Sequence, residues 1–150
     1  MEPFPPVEPV SEVIWIGGSV DKTSACLRFT DETLDVDLVS RLLSSEPTRV
    51  HRKGEALRSG RIRHLPSVWL LNSPAAAGQT LEEQIVWLLD RVSNGLQVWE
   101  SLTKMSRADI FCGLHLKAWN RGFSLSAGLM RRLVKRHLTL EFDIYCDAEE

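Results

Sequence analysis

Hydrophobic and polar positions alternate with a period of two over residues 22–30. Ala25, Leu27 and Phe29 are set against Ser24, Cys26 and Arg28. That period predicts a strand with one buried face, because successive side chains point to opposite sides of the backbone. The alternation returns over 108–119, where Ile110, Cys112, Leu114 and Leu116 share one face. It returns again over 138–146, where Leu138, Leu140, Phe142 and Ile144 oppose Thr139, Glu141, Asp143 and Tyr145. The apolar run VWLLN at 68–72 predicts a further strand, stopped by Ser73-Pro74. A short apolar run at 13–16, before Gly17-Gly18, reads either as an edge strand or as a segment packed on the domain.

Helical spacing fills the gaps. Leu34, Leu38, Leu42 and Leu43 predict a helix over 35–44. Asp35 suits its N-cap, Leu34 suits the hydrophobic staple, and Glu46-Pro47 lies beyond its end. A second helix, 81–93, carries the stripe Leu81, Ile85, Leu88, Leu89 and Val92. Thr80 and Glu83 have capping-box spacing before it. A helical stretch at 95–104 extends past Asn94-Gly95. Residues 124–136 form the last helix, with Leu125, Leu129, Leu133 and Val134 inward. Arg131, Arg132, Lys135 and Arg136 complement the negative end of its dipole.

DLVSRLL at 37–43 echoes GLMRRLV at 128–134, and each follows a strand, CLRF and GLHL respectively. The order is β-α-β, a helix, then β-α-β. It predicts an α+β fold with a four-stranded, mainly antiparallel sheet, ferredoxin-like, with an inserted helix between the halves. A mixed sheet of different strand order is the alternative. The 150 residues suit one domain over 13–146, with a proline-rich arm at 1–12 and an acidic tail at 147–150.

Composition changes this picture in few places. No run of eighteen apolar residues exists, so no membrane-spanning helix is expected. The start, MEPFPPVEPVSE, has no basic region and no apolar stretch of the kind a signal peptide needs. Three cysteines, Cys26, Cys112 and Cys146, are an odd number without metal spacing. Reduced thiols, and hence the cytoplasm, are expected. The formal net charge of -2 excludes a bulk polycation.

Several stretches together resemble a known family. They are the strand TSACLRF, the helix end RLLSSEPTRV, the strand VWLLNS, the helix LEEQIVWLLDRV, then FSLSAGLMRRL and LEFDIY. In this order they are similar to the 4279 family of bacterial domains of unknown function. The most specific part is EPTR-x-x-RKGE followed by W-x-x-x-S. The family usually has glycine where Ser44 or Ser45 stands here. The resemblance implies a small bacterial α+β domain and no particular reaction.

One segment breaks the charge balance. Residues 48–66 hold Arg49, Arg52, Lys53, Arg58, Arg61 and Arg63 against one acid, Glu55. An exposed loop with a short hairpin is expected. The bland reading pairs its charges with Glu46, Glu55 or the acidic ends. The sharper reading binds an acidic partner, with Arg49, Arg52, Lys53, Glu55, Arg61, Arg63, Trp69 and Asn72 as the binding residues. Arginine forks suit carboxylates and phosphates. Nucleic acid is disfavoured, because the loop has no aromatic residue before Trp69 to stack on bases. Trp69 and Trp87 belong to elements that must pack, whereas Trp99 and Trp119 are the surface tryptophans.

Other chemistry is sparse. His51, His64, His115 and His137 form no metal motif, though His115 meets Cys26 or Cys112 if the strands align. Glu141 and Asp143 share a strand face and suit acid–base work, or else Asp143 pairs with an arginine of the basic loop. No phosphate-binding glycine loop occurs, and no cofactor or metal is implied. The first expectation is therefore a protein-interaction module of the antagonist or immunity type, using loop 48–66, with a homodimer through a sheet edge as a further option. A small-ligand or nucleotide-binding domain, holding phosphate on Arg49, Arg52 and Lys53, comes second. A hydrolytic enzyme using Glu141 and Asp143, or His115 with a cysteine, comes third.

Overall fold

The alternation at residue 22 produces β1 (Lys22–Asp31), which buries Ala25, Leu27 and Phe29 and turns Cys26 and Arg28 the other way. The computed structural model describes residues 18–147, so the expected arm, the run at 13–16 and most of the tail lie outside them. α1 (Val36–Leu43) starts where Asp35 Oδ1 accepts a hydrogen bond from the Leu38 amide at 3.0 Å. Its buried stripe is Val36, Val39 and Leu43, with Leu34 just before it, while Leu38 and Leu42 are half-buried. Ser44 ends it at φ 53°, ψ 42°. The Ser44 amide donates to Arg41 O at 3.3 Å and the Ser45 amide to Ser40 O at 3.2 Å, the Schellman pattern. This left-handed position favours glycine, and an L-residue there costs roughly 1 kcal/mol or more. Of the two serines, Ser44 is the one that occupies it.

β2 (Arg49–His51) pairs antiparallel with β3 (Ser67–Asn72), which runs antiparallel beside β1, with Leu27 opposite Leu71 and Phe29 opposite Trp69. α2 (Leu81–Arg91) starts at its predicted N-cap, Thr80. Thr80 Oγ1 accepts from the Glu83 amide at 3.2 Å and donates to the Glu83 carboxylate at 2.9 Å. Its stripe Leu81, Ile85, Leu88, Leu89 and Val92 is buried throughout. Val92 turns extended, and α3 (Leu96–Met105) follows as a separate helix. β4 (Arg107–Leu116) runs antiparallel to β1 on its other side. α4 (Ala127–Lys135) then leads to β5 (Thr139–Cys146), parallel to β4.

The sheet order is β2-β3-β1-β4-β5. The α+β class therefore stands, but the sheet has five strands and is mixed, not four and antiparallel. The halves are also composed differently from the sequence expectation. β1 and β2 both run antiparallel to β3, so α1 crosses from β1 to β2, and β3 inserts between them. β1 to β4 thus follow the β-α-β-β-α-β order, with α2 and α3 in the second crossover. α4 and β5 add a parallel strand beyond it. β2 escapes a periodicity reading because it is three residues long and holds one apolar side chain, Val50.

The core lies between the sheet and the helices. Phe29 sits between two fully buried tryptophans. Its ring is edge-on to Trp69 at 5.7 Å and tilted against Trp99 at 5.8 Å. Each indole N–H is satisfied, Trp69 by Ser40 Oγ at 2.9 Å and Trp99 by Ser93 O at 2.7 Å. Trp99 is thus a core residue and not a surface one, whereas Trp119 is exposed as expected. In α4, Leu129 and Leu133 point inward but Val134 is 72% exposed. The helix turns 100° per residue, and Val134 falls past the edge of the buried stripe.

The candidate functional site: a basic hairpin arm at one sheet edge

Residues 52–66 extend the β2–β3 hairpin beyond the sheet. The Gly54 amide donates to Arg63 O, the Arg63 amide to Glu55 O, both at 2.8 Å, and the Leu57 amide to Arg61 O at 2.7 Å. Gly60 closes the tip at φ 81°, a conformation that glycine adopts without strain. The arm is fastened at its foot, where the Lys53 amide donates to the buried Ser67 hydroxyl at 2.9 Å. Arg52 reaches Asp37 of α1 at 3.4 Å, and Lys53 pairs with Glu32. His51 Nδ1 lies 3.5 Å from Glu55. Arg63 donates through Nη2 to Pro66 O at 3.1 Å, while its Nε is buried without an acceptor among the described residues.

The charge excess of the segment is thus divided. At the foot, Arg52 and Lys53 are neutralised by neighbouring carboxylates. These partners are Asp37 and Glu32, not Glu46 or the chain ends. Toward the tip, Arg58 and Arg61 are exposed and have no ion-pair partner among the described residues, and neither has Arg49. Around them Leu57, Ile62 and Leu65 are 41%, 56% and 63% exposed. Leu57, Arg58, Ile62 and Leu65 were not among the expected binding residues. Their signal in the sequence is the apolar–cationic alternation Arg61-Ile62-Arg63 inside a polar segment.

The expected binding set does not converge. Arg52, Lys53, Glu55, Arg61 and Arg63 belong to the arm or its foot. Arg49 lies on β2, on the outer face of the sheet with His51, by strand alternation. Trp69 is fully buried and is corrected to a core residue, because Phe29 and Ser40 enclose it. Asn72 sits at the far end of β3, opposite Cys26, with its amide on Thr48 Oγ1 at 2.9 Å. A cleft of about 410 Å³ at the foot contains Arg52 and Lys53, but Glu32, Asp35 and Asp37 line it too. Those carboxylates oppose a phosphate there.

The other candidate chemistry is dispersed. Glu141 accepts from Arg107 Nη2 at 2.9 Å, and Asp143 accepts from the Tyr145 hydroxyl, which holds the Tyr145 pKa above its usual value. An arm arginine cannot reach Asp143, because the arm and β5 occupy opposite edges of the sheet. Neither carboxylate lines the cleft at the arm's foot, nor the larger cleft of about 900 Å³ beside Lys22, Thr23 and Gln84. His115 stacks on Tyr145 at 4.9 Å. The register places Cys26 opposite Phe111, well along β4 from His115, and turns Cys112 to the other face, so no Cys–His pair forms. Burial pushes the Cys26 thiol up to about 11 and the Cys112 thiol up to about 12. Both stay protonated at neutral pH and are poor nucleophiles. No group of three metal-binding side chains occurs among the described residues.

A family model described as a domain of unknown function (DUF4279) matches residues 21–147. The chain belongs to that family. The match takes in all five strands, the arm and the four helices, so the DUF4279 unit is the whole described fold. No curated protein and no solved structure matches the chain. No helix of the described DUF4279 domain is long and apolar enough to cross a membrane.

Proposed function

We propose that this DUF4279 domain is a protein-binding module of the antagonist type whose contact surface is the arm over 52–66. The observation that carries the reading is the tip, where Leu57, Ile62 and Leu65 are exposed beside the unpaired Arg58 and Arg61. Protein interfaces combine an apolar centre with arginine-rich surroundings, and a few such residues carry most of the binding energy. The cations steer the arm toward an acidic surface, and the leucines and isoleucine supply the buried area. The phosphate-binding alternative has weaker support, because Arg52 and Lys53 are already engaged by carboxylates. The hydrolytic alternative has weaker support too, because Glu141 and Asp143 line neither of the two clefts described above.

The test is affinity purification of the tagged chain from its own host, beside the double variant Arg58→Glu, Arg61→Glu. Neither arginine holds the fold, so the variant should keep its melting temperature. The expected result is a stoichiometric protein that co-purifies with the parent and is lost with the variant. Recovery of the same proteins by both would remove the arm from the contact surface.

A further inference from the structure

The β5 edge of the sheet and the hairpin arm beyond its end carry inverse patterns. β5 pairs with β4 on one side only among the described residues, so its other side presents unpaired backbone groups. Along it acidic and apolar side chains alternate. Glu141 and Asp143 point to the outer face, whereas Phe142 and Ile144 point to the helix face and are 42% and 59% exposed. The Phe123 ring packs on Phe142 at 5.8 Å and widens the apolar strip. Beyond the end of the sheet, in the strand of the arm that runs into β3, Arg61-Ile62-Arg63 reads cation, apolar, cation. The backbone N–H and C=O of Ile62 have no partner among the described residues. Within one chain β1 and β4 lie between β5 and β3, the strand into which this segment runs.

We propose that the arm of one copy adds as an extra strand to the β5 edge of a second copy. The proposal rests on the arm being the contact surface and names its partner. With Ile62 opposite Phe142, Arg61 falls beside Asp143 when the strands run antiparallel and beside Glu141 when they run parallel, while Arg63 keeps its bond to Pro66 O. Side-chain alternation then puts the ion pair on one face and the apolar contact on the other. Pairing β5 with β5 is worse, since an antiparallel register centred on Phe142 sets Glu141 against Asp143 of the other copy. Arm-to-edge contact uses two different patches, so each added copy leaves one arm and one edge free. Such a heterologous contact builds open chains or closed rings. Its short strands and exposed ion pair make it weak and salt-sensitive.

Sedimentation of the full chain over rising concentration, at low and high sodium chloride, tests this. The average mass should climb above the monomer's 17.0 kDa with concentration and fall back with salt. Arg58→Glu with Arg61→Glu should weaken association about tenfold, and so should Glu141→Gln with Asp143→Asn. Each variant keeps one surface intact. Mixed together, they should form a 1:1 dimer and nothing larger, which a misfolded variant cannot do. A parent that stays monomeric throughout, variants that associate like the parent, or a mixture of folded variants that fails to pair would each overturn the proposal. If the parent is monomeric yet captures an arm-dependent foreign protein, self-association falls and the binding reading stands. If neither occurs, both fall.

Discussion

The two faces of the sheet are built on different principles. The helix face is a continuous apolar layer, in which Leu27, Phe29, Trp69, Ile110 and Trp99 are fully buried and every polar atom of the tryptophans has a partner. The outer face contributes nothing to that cluster. Its centre is an ion pair, Arg28 to Asp109, with Nε to Oδ1 at 2.7 Å and Nη2 to Oδ2 at 2.8 Å. The Arg28 guanidinium also lies 4.5 Å above the Phe111 ring. Asp109 is only 5% exposed at its side chain, and its hydrogen bonds hold the Arg28 pKa above the usual value. One face is therefore held by area removed from water. The other is held by directional polar contacts over a half-wet surface, where each group depends on its partner.

The largest test of this difference is on the helix face. Phe29→Ala should cost about 4 kcal/mol, through lost transfer energy and a cavity that two rigid indoles cannot collapse into. Phe111→Ala, on the outer face, should cost about 1 kcal/mol, because its ring is half-buried and lies under the charged Arg28 guanidinium. Denaturant melts of both variants make the comparison. Equal costs would mean that the outer face is packed as tightly as the inner one.

The outer face responds differently to paired substitutions. Arg28→Met should cost about 3 kcal/mol, since it leaves the Asp109 carboxylate buried without its bidentate partner. Arg107 lies 3.9 Å from the same carboxylate and recovers only part of the loss. Adding Asp109→Leu should restore most of the stability, because two apolar side chains replace the pair. A double-mutant cycle reads the coupling directly. Additive costs would show that Arg28 and Asp109 do not act as a unit.

These contrasts also explain what was legible in the sequence. β1, β4 and α2 are readable because their periods run for eight residues or more and the apolar positions in phase with them are buried. β2 is not, because three residues carry no period. Its absence moved the first crossover to the wrong strand and lost the fifth strand from the count. Trp99 looked like a surface residue because a tryptophan in a short helix has two equally plausible directions. Only the break at Val92, which swings α3 against Phe29, decides between them. The hairpin arm was visible as a charge anomaly. Which of its cations are free was not, since Asp37 and Glu32 lie 15 and 21 residues from their partners.

The last test lies in the thiols, whose effect is absent at neutral pH and which sample both faces and the surface at once. Cys112 is buried on the helix face, Cys26 is half-buried on the outer face, and Cys146 is exposed at the end of β5. Desolvation raises the Cys112 and Cys26 pKa values to about 12 and about 11, and for Cys26 the nearby Arg28 opposes the rise. An unfolded thiol ionises near pH 8.5. The folded chain therefore binds these two protons more tightly than the unfolded one. Their contribution is complete below about pH 8.5 and is lost as the pH climbs toward their folded values, so the melting temperature should fall between pH 9 and 11. At pH 8 a disulfide reagent should label Cys146 at once, Cys26 slowly, and Cys112 only on unfolding. Equal rates for Cys26 and Cys146 would mean that the outer face is as wet at its centre as at its edge. The ion pair of Arg28 and Asp109 would then be an exposed one, worth little to stability.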